Sequence, residues 1–149
     1  MAEGTSITAR LLSDRLGPLR RAVSRASRSS AALPDIPDAQ IEVMRCLSTT
    51  GTRTPSELAD ALGLARSTVS NLLSQMERSE LVERRLVSGD GRRTQVGLTP
   101  LAAARLRAFD DAATAVLVAA LQDLPDGDAA AIAAALPALE RLHGRVVDR

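Results

Sequence analysis

The chain has no tryptophan, tyrosine or lysine, and one residue each of phenylalanine, cysteine and histidine: Phe109, Cys46 and His143. Each shortage narrows the range of functions. Without aromatic platforms for bases to stack on, binding of single-stranded nucleic acid is disfavoured. One cysteine rules out an internal disulfide framework, and one histidine with one cysteine does not make a metal site. No hydrophobic run approaches membrane-spanning length and the first residues lack a signal-peptide core, so a cytoplasmic protein with no membrane partner is expected. No nucleophile–base pair, no paired carboxylates and no metal-ligand spacing stand out. Asp110-Asp111 and Asp126/Asp128 read as a solvated helix surface and a helix start. The chain is therefore not read as an enzyme, and nothing calls for a cofactor.

What is present is 149 residues, 45% hydrophobic, with alanine, leucine and valine supplying most of the apolar content. That suits one compact domain with helical extensions. All 19 basic residues are arginine against 18 acids, for a net charge of +1. The exclusive use of arginine reads as compositional bias. The signs are distributed unevenly: the first thirty residues are basic, the stretch from 99 onward is acidic, and the middle is close to neutral. Specific recognition by the middle stretch would have to come from placement of side chains rather than from a strong positive field.

The segment from Thr54 to Thr99 carries the densest signal. Thr54-Pro55-Ser56-Glu57 is a capping box with proline at the first helical position. Leu58, Ala59 and Leu62 then recur at helical spacing, and Gly63 supplies a left-handed stop, giving a helix over 55–62. Its amino end, with Thr54 and Ser56, could hold a phosphate. A second helix begins near Arg66, with Val69, Leu72, Leu73 and Met76 as its buried stripe. Its other face carries Arg66, Ser67, Thr68, Ser70, Asn71, Ser74 and Gln75, short hydroxyls and amides rather than the glutamates and lysines of an ordinary solvated face. Such groups hydrogen-bond base edges and phosphates in a major groove, and Asn71 or Gln75 could pair with adenine. Alternation over 81–87 and again over 94–98 predicts two strands, joined by the glycine-bearing turn 88–93. Arg92 and Arg93 at that tip could reach a neighbouring minor groove, where negative potential favours arginine. Thr52-Arg53-Thr54 is a candidate short strand at the edge of this hairpin.

These residues resemble the MarR family of bacterial transcriptional regulators. The matching residues are Glu57-Leu58-Ala59, Leu62-Gly63, Ser67-Thr68-Val69-Ser70, Leu81-Val82-Glu83-Arg84, Asp90-Gly91-Arg92-Arg93 and Leu98-Thr99. The resemblance implies a winged helix-turn-helix whose recognition helix begins near Arg66, with Arg92 in the minor groove and Asp90 bracing the wing arginine. It implies a two-fold homodimer on double-stranded DNA, most often a repressor on a pseudopalindromic operator. It also implies a small-molecule effector bound between the winged lobe and the dimerisation helices, although no aromatic-lined or charged pocket is legible here. The chain departs from the family at Glu80 and Ala102, where glycine is usual. Either Glu80 adopts a strained backbone or the turn differs.

The flanks read as helix. From Ser6 to about Ala32, Ile7, Leu11, Leu12, Leu16, Leu19 and Val23 form a stripe, Gly17-Pro18 predicts a kink or break, and Arg20, Arg21, Arg25 and Arg28 form a basic face that reads as solvated surface. After a proline-rich linker, a helix from Asp38 to about Ser48 buries Ile41, Val43, Met44 and Leu47, with Cys46 at the edge of the stripe. The family's oxidant-sensing cysteines usually lie near the chain start, so a redox role is the weaker reading of Cys46 and burial as a small hydrophobe the stronger. Thr99-Pro100 opens a helix to about Leu124 with a heptad-like seam of Ala102, Leu106, Phe109, Ala113, Val116 and Ala120. After the turn at 125–128, a last helix reaches about Val146, with Ile132, Leu136, Leu139 and Leu142 along one side and a bend expected at Pro137. These helices have little core of their own to cover, which suggests that Leu11, Leu12, Leu16, Leu117, Leu121 and the stripe of the last helix meet a second copy.

The expected architecture is mainly α with a small β-wing: a winged helix-turn-helix with N- and C-terminal dimerisation helices. Residues 1–37 form the N-terminal dimerisation helix and linker, 38–99 the DNA-binding domain and 100–149 the C-terminal dimerisation helices. The rival reading is a winged helix used for protein–protein contact without DNA, favoured by the weak charge of the middle stretch and opposed by its polar helix and arginine wing.

Overall fold

The computed structural model describes residues 2–30, 35–86 and 94–147. Six helices and one hairpin follow in order: α1 (Ala2–Ser30), α2 (Asp38–Thr50), α3 (Pro55–Leu62), α4 (Arg66–Arg78), β1 (Val82–Leu86), β2 (Thr94–Leu98), α5 (Pro100–Gln122) and α6 (Asp128–Val147). The architecture is mainly α with a small antiparallel wing, as expected.

The local signals for α3 hold in detail. The Glu57 amide donates to Thr54 Oγ1 at 3.3 Å and the Thr54 amide to Glu57 Oε2 at 2.8 Å, closing the capping box. Gly63 ends the helix in the left-handed region, at φ 62° and ψ 31°. A side chain is strained there, and glycine is not.

In the wing, Val82 pairs with Leu98, Arg84 with Val96 and Leu86 with Thr94. The expected third strand is reduced to one bridge, in which Arg53 and Val96 exchange backbone hydrogen bonds of 3.0 and 2.7 Å. Val82 is buried, whereas Leu86 is 72% exposed. The alternation is right, but the outer half of β1 runs past the core, so only its first residue is buried.

The core lies in the middle of the chain. Ile41, Val43, Met44 and Leu47 of α2 pack with Leu58 and Ala59 of α3, Val69, Leu73 and Met76 of α4, and Leu81, Val82 and Val96 of the wing. Ala102, Leu106 and Phe109 of α5 close it, and Cys46, Leu62 and Leu72 lie half-buried at its edge. Burial of so many aliphatic side chains, each contributing about 1.5–3 kcal/mol, makes this the stable centre of the fold. Within the chain the α5 seam stops at Ala112, with Ala113 and Val116 half-buried and Ala120 exposed.

One proline reading needs revision. α1 starts at Ala2 and runs unbroken through Pro18, so the expected interruption is absent. Proline forfeits one backbone hydrogen bond, to Asp14, and α1 packs against α5, so tertiary contact helps hold the helix together. α6 likewise continues through Pro137. No residue of α6 is buried within the chain.

Candidate nucleic-acid interface

The helix-turn-helix places α3 against α4 and turns the stripe Val69, Leu73, Met76 into the core. That burial leaves the opposite face of α4 outward. Arg66, Ser67, Thr68, Ser70, Asn71 and Gln75 are all exposed, and Ser74 is half-buried. The Ser74 hydroxyl donates to the Ser70 carbonyl at 2.9 Å, so its proton is already used. Among the described residues, none of the other six side chains has a hydrogen-bond or ion-pair partner in the chain. A row of donors and acceptors is left for something outside it.

The amino end of α4 is unusual for a solvated helix. Its N-cap is Ala65, which offers no side-chain acceptor, and the first turn holds no acidic residue. The first-turn amides and the helix dipole therefore present partial positive charge beside Arg66, a setting suited to an anion. Thr54 and Ser56 are half-buried at the start of α3; Thr54 is committed to its cap. Arg53, immediately before that cap, is half-buried with its Nε lacking a hydrogen-bond acceptor. In the sequence Arg53 reads only as strand, because nothing there signals that its Nε lies buried without an acceptor.

At its other end α4 stops in a motif that answers the question posed by Glu80. The Glu80 amide donates to the Glu77 carbonyl at 3.1 Å and the Leu81 amide to the Met76 carbonyl at 2.8 Å. This is the Schellman pattern, and Glu80 occupies its left-handed position at φ 56°, where glycine is favoured. Buried Met76 and Leu81 supply the accompanying apolar contact. Arg84 of β1 pairs with Glu77 of α4 at 3.1 Å, tying the wing base to α4. Ala102, the other departure, is fully buried in the core, its amide donating to Thr99 Oγ1 at 3.1 Å. Asp90, Arg92 and Arg93 lie outside the described residues.

A cleft missed in the sequence lies where α2 meets α5. Arg28, Ile36, Ile41, Met44, Arg105, Leu106 and Phe109 line a cavity of about 10 Å³, room for roughly one water. A neighbouring recess of about 180 Å³ is lined by Arg20, Ser24, Asp38, Ile41, Glu42, Arg45 and Phe109. Phe109 and the arginines are far apart in sequence, so no local pattern marks these spaces. Among the described residues, no group of three or more His, Cys, Asp and Glu side chains converges and no helix is long and apolar enough to cross a membrane.

Comparison with known proteins agrees with this geometry. Residues 35–93 match the sequence model of the MarR family. No curated protein matches the chain in sequence. Among solved structures, a MarR family protein from Bacillus stearothermophilus is similar over 99% of each chain, with a TM-score of 0.79 at 22% identity. A Pseudomonas aeruginosa protein assigned as a transcriptional regulator is 28% identical over 97% of each chain, with a TM-score of 0.76. A single-residue variant of MepR from S. aureus, bound to an oligodeoxyribonucleotide, has a TM-score of 0.65 at 23% identity, covering 92% of this chain and 96% of its own. The motif residues, the match of residues 35–93 to the MarR family model and the shared fold lead to one conclusion: the winged lobe of this chain is similar to that of MarR family transcriptional regulators, and the chain shares their winged helix-turn-helix fold.

Proposed function

We propose that the chain reads double-stranded DNA sequence-specifically as a homodimer and represses transcription from a pseudopalindromic operator. The observation that carries this reading is the outer face of α4: six exposed polar side chains without internal partners, beginning at an uncapped, acid-free amino end. Arg66, the first-turn amides, Ser67 and Thr68 would take phosphates and base edges; Asn71 and Gln75 are long enough for two-bond contacts with adenine. Thr54, Ser56 and Arg53 would face the backbone from α3, and Arg92 and Arg93, braced by Asp90, would serve the minor groove. The MepR variant bound to an oligodeoxyribonucleotide supports the assignment by analogy.

The homodimer is supported by apolar surface that one chain leaves open. Leu11, Leu16, Leu117, Ile132, Leu136 and Leu142 are 40–53% exposed, and Leu12, Leu121 and Leu139 are half-buried. All lie on the terminal helices, away from the core. Large apolar side chains left open in this number mark an interface, and self-association across a two-fold axis is the commonest solution. Two recognition helices so related would read half-sites about one helical turn apart. Release by a small molecule would use the cleft at Phe109. Its present volume is far below the 300–1,000 Å³ of typical ligand sites, so binding would require the lobes to move apart.

Fluorescence anisotropy with the protein's own upstream duplex and a random duplex, at two salt concentrations, tests the reading. Tight, steeply salt-sensitive binding to the upstream duplex alone supports it. Equal, weak binding to both leads to selection from genomic fragments. Failure to enrich any fragment there would refute DNA reading and leave the near-neutral winged lobe as a surface for a protein partner.

A further inference from the structure

The winged lobe meets the long terminal helices along α2, and the composition of that joint suggests how it works. Its centre is apolar and small, with Met44 of α2 and Phe109 of α5 lining the same narrow cleft. Its flanks are charged. On the α1 side, Arg28 Nη2 donates to Asp38 Oδ1 at 2.5 Å and to the Ile36 carbonyl at 3.0 Å. The second Asp38 oxygen lies 3.8 Å from Arg20 Nη1, which is itself 3.6 Å from Glu42 Oε1. On the α5 side, Arg45 Nη2 donates to Asp110 Oδ1 at 2.5 Å. Pro37 gives α2 no side-chain cap, so α1, through Arg28, fixes the entry of the chain into the winged lobe.

Apolar contact is non-directional and by itself lets one helix pivot on another. Charge-assisted hydrogen bonds favour one geometry. Here two of them grip α2 at points about two helical turns apart, from two different helices. We infer that the Arg28–Asp38 and Arg45–Asp110 pairs act together as a lock that sets the angle of the winged lobe on the terminal helices, and with it the separation of the two recognition helices. Arg28 and Arg45 are thereby positioning residues for half-site spacing. This inference rests on the homodimeric, DNA-reading assignment above.

Magnitude favours orientation over stability as their role. The four side chains are 26–45% exposed, and pairs this open contribute little to global folding. A small difference is enough to redistribute two lobe orientations of similar energy, because their ratio follows the differential interaction directly.

The test is a distance. The full chain carrying Cys46→Ser and Arg78→Cys, spin-labelled at the exposed carboxy end of α4, reports the label separation across the dimer by pulsed electron–electron double resonance without DNA. Arg45→Asp, which sets a carboxylate against Asp110, is expected to shift or broaden that distribution by several ångströms, and the exchange Arg45→Asp/Asp110→Arg to restore it. Arg28→Ala is expected to broaden it from the α1 side. In unlabelled protein, preference for the selected half-site spacing over one shifted by a base pair is expected to fall roughly fivefold in Arg45→Asp and to recover in the exchange. An unchanged distribution in both Arg45→Asp and Arg28→Ala overturns the lock. A parent without inter-label signal overturns the homodimer, and the lock with it. A parent that gives the signal but binds no duplex overturns DNA reading, while the distance measurement still decides the lock.

Discussion

The Thr99 hydroxyl donates a 2.6 Å hydrogen bond to the carbonyl of Glu80, the left-handed residue that follows α4. The same oxygen accepts the Ala102 amide at 3.1 Å, and the Thr99 amide donates to the Leu81 carbonyl at 3.2 Å. One side chain therefore caps α5 and clamps the end of α4, so the helix that would enter a groove is referenced to the helix that leads to the proposed dimer interface. Thr99→Ala removes both side-chain bonds and is expected to cost about 1–2 kcal/mol, a fall of roughly 3–8 °C in melting temperature at matched protein concentration. Thr99→Ser should retain most of the stability. Scanning calorimetry on the three proteins checks this.

Glu80 bears a strain that glycine would not. A left-handed backbone costs an L-residue about 1–2 kcal/mol, offset in part by the greater unfolded-state freedom of glycine, about 0.4–1 kcal/mol. Glu80→Gly is thus expected to stabilise the chain by about 0.5–1 kcal/mol, and Glu80→Val to destabilise it. Urea denaturation, with the midpoint shifted and the slope unchanged, checks the sign and size of both changes.

The bridge between Arg53 and Val96 brings a loop against the wing at Gly97. A Cβ added there would lie 3.1 Å from Thr52 Cγ2, tighter than ordinary contact. Gly97→Val is expected to cost about 1–3 kcal/mol through overpacking, measured by denaturant titration. The Thr52→Gly background should recover part of that loss, since it removes the group that is struck.

The open stripe on the terminal helices makes a prediction about assembly. Leu136→Glu buries a carboxylate in the proposed two-fold interface and should shift the protein from dimer to monomer in sedimentation equilibrium at micromolar concentration. Because Leu136 is 53% exposed in the single chain, the helical circular dichroism of the winged lobe should persist.

On DNA, two kinds of contact should separate. Asn71→Ala should relax discrimination at one base pair by about 1–3 kcal/mol, with binding to random duplex little altered. Arg92→Ala should weaken binding across sequences, lower the salt slope by about 1 and leave the dimer intact. Unchanged operator affinity in Arg92→Ala would remove the wing from the interface. Anisotropy over a salt series with matched and single-mismatch duplexes reads both.

Sequence reasoning succeeded where the determinants are local. The α3 limits follow from Thr54, Pro55, Glu57 and Gly63, residues whose caps and stops act within one turn of themselves. The buried face of α4 follows from the spacing of Val69, Leu73 and Met76, and the β2 limits from the alternation around Val96. The polar face followed as the remainder, since a helix that buries one side must expose the other. The expected break at Pro18 failed for the converse reason. Proline penalises a helix locally, but α1 lies on α5, and that support enters only when distant segments meet.

The amino-acid sequence by itself thus determined the elements, their order, the buried stripes and the likeness to a family, because caps, periodicity and turn residues act over a few positions of the chain. Only the tertiary structure decided where charges and cavities meet. Arg45 finds Asp110 across the joint, Thr99 finds Glu80, and Phe109 closes a cleft on Met44, in each case between helices that no sequence periodicity relates. Such encounters depend on the angle at which packed helices cross, and that angle is set by the summed shape of side chains from several segments at once.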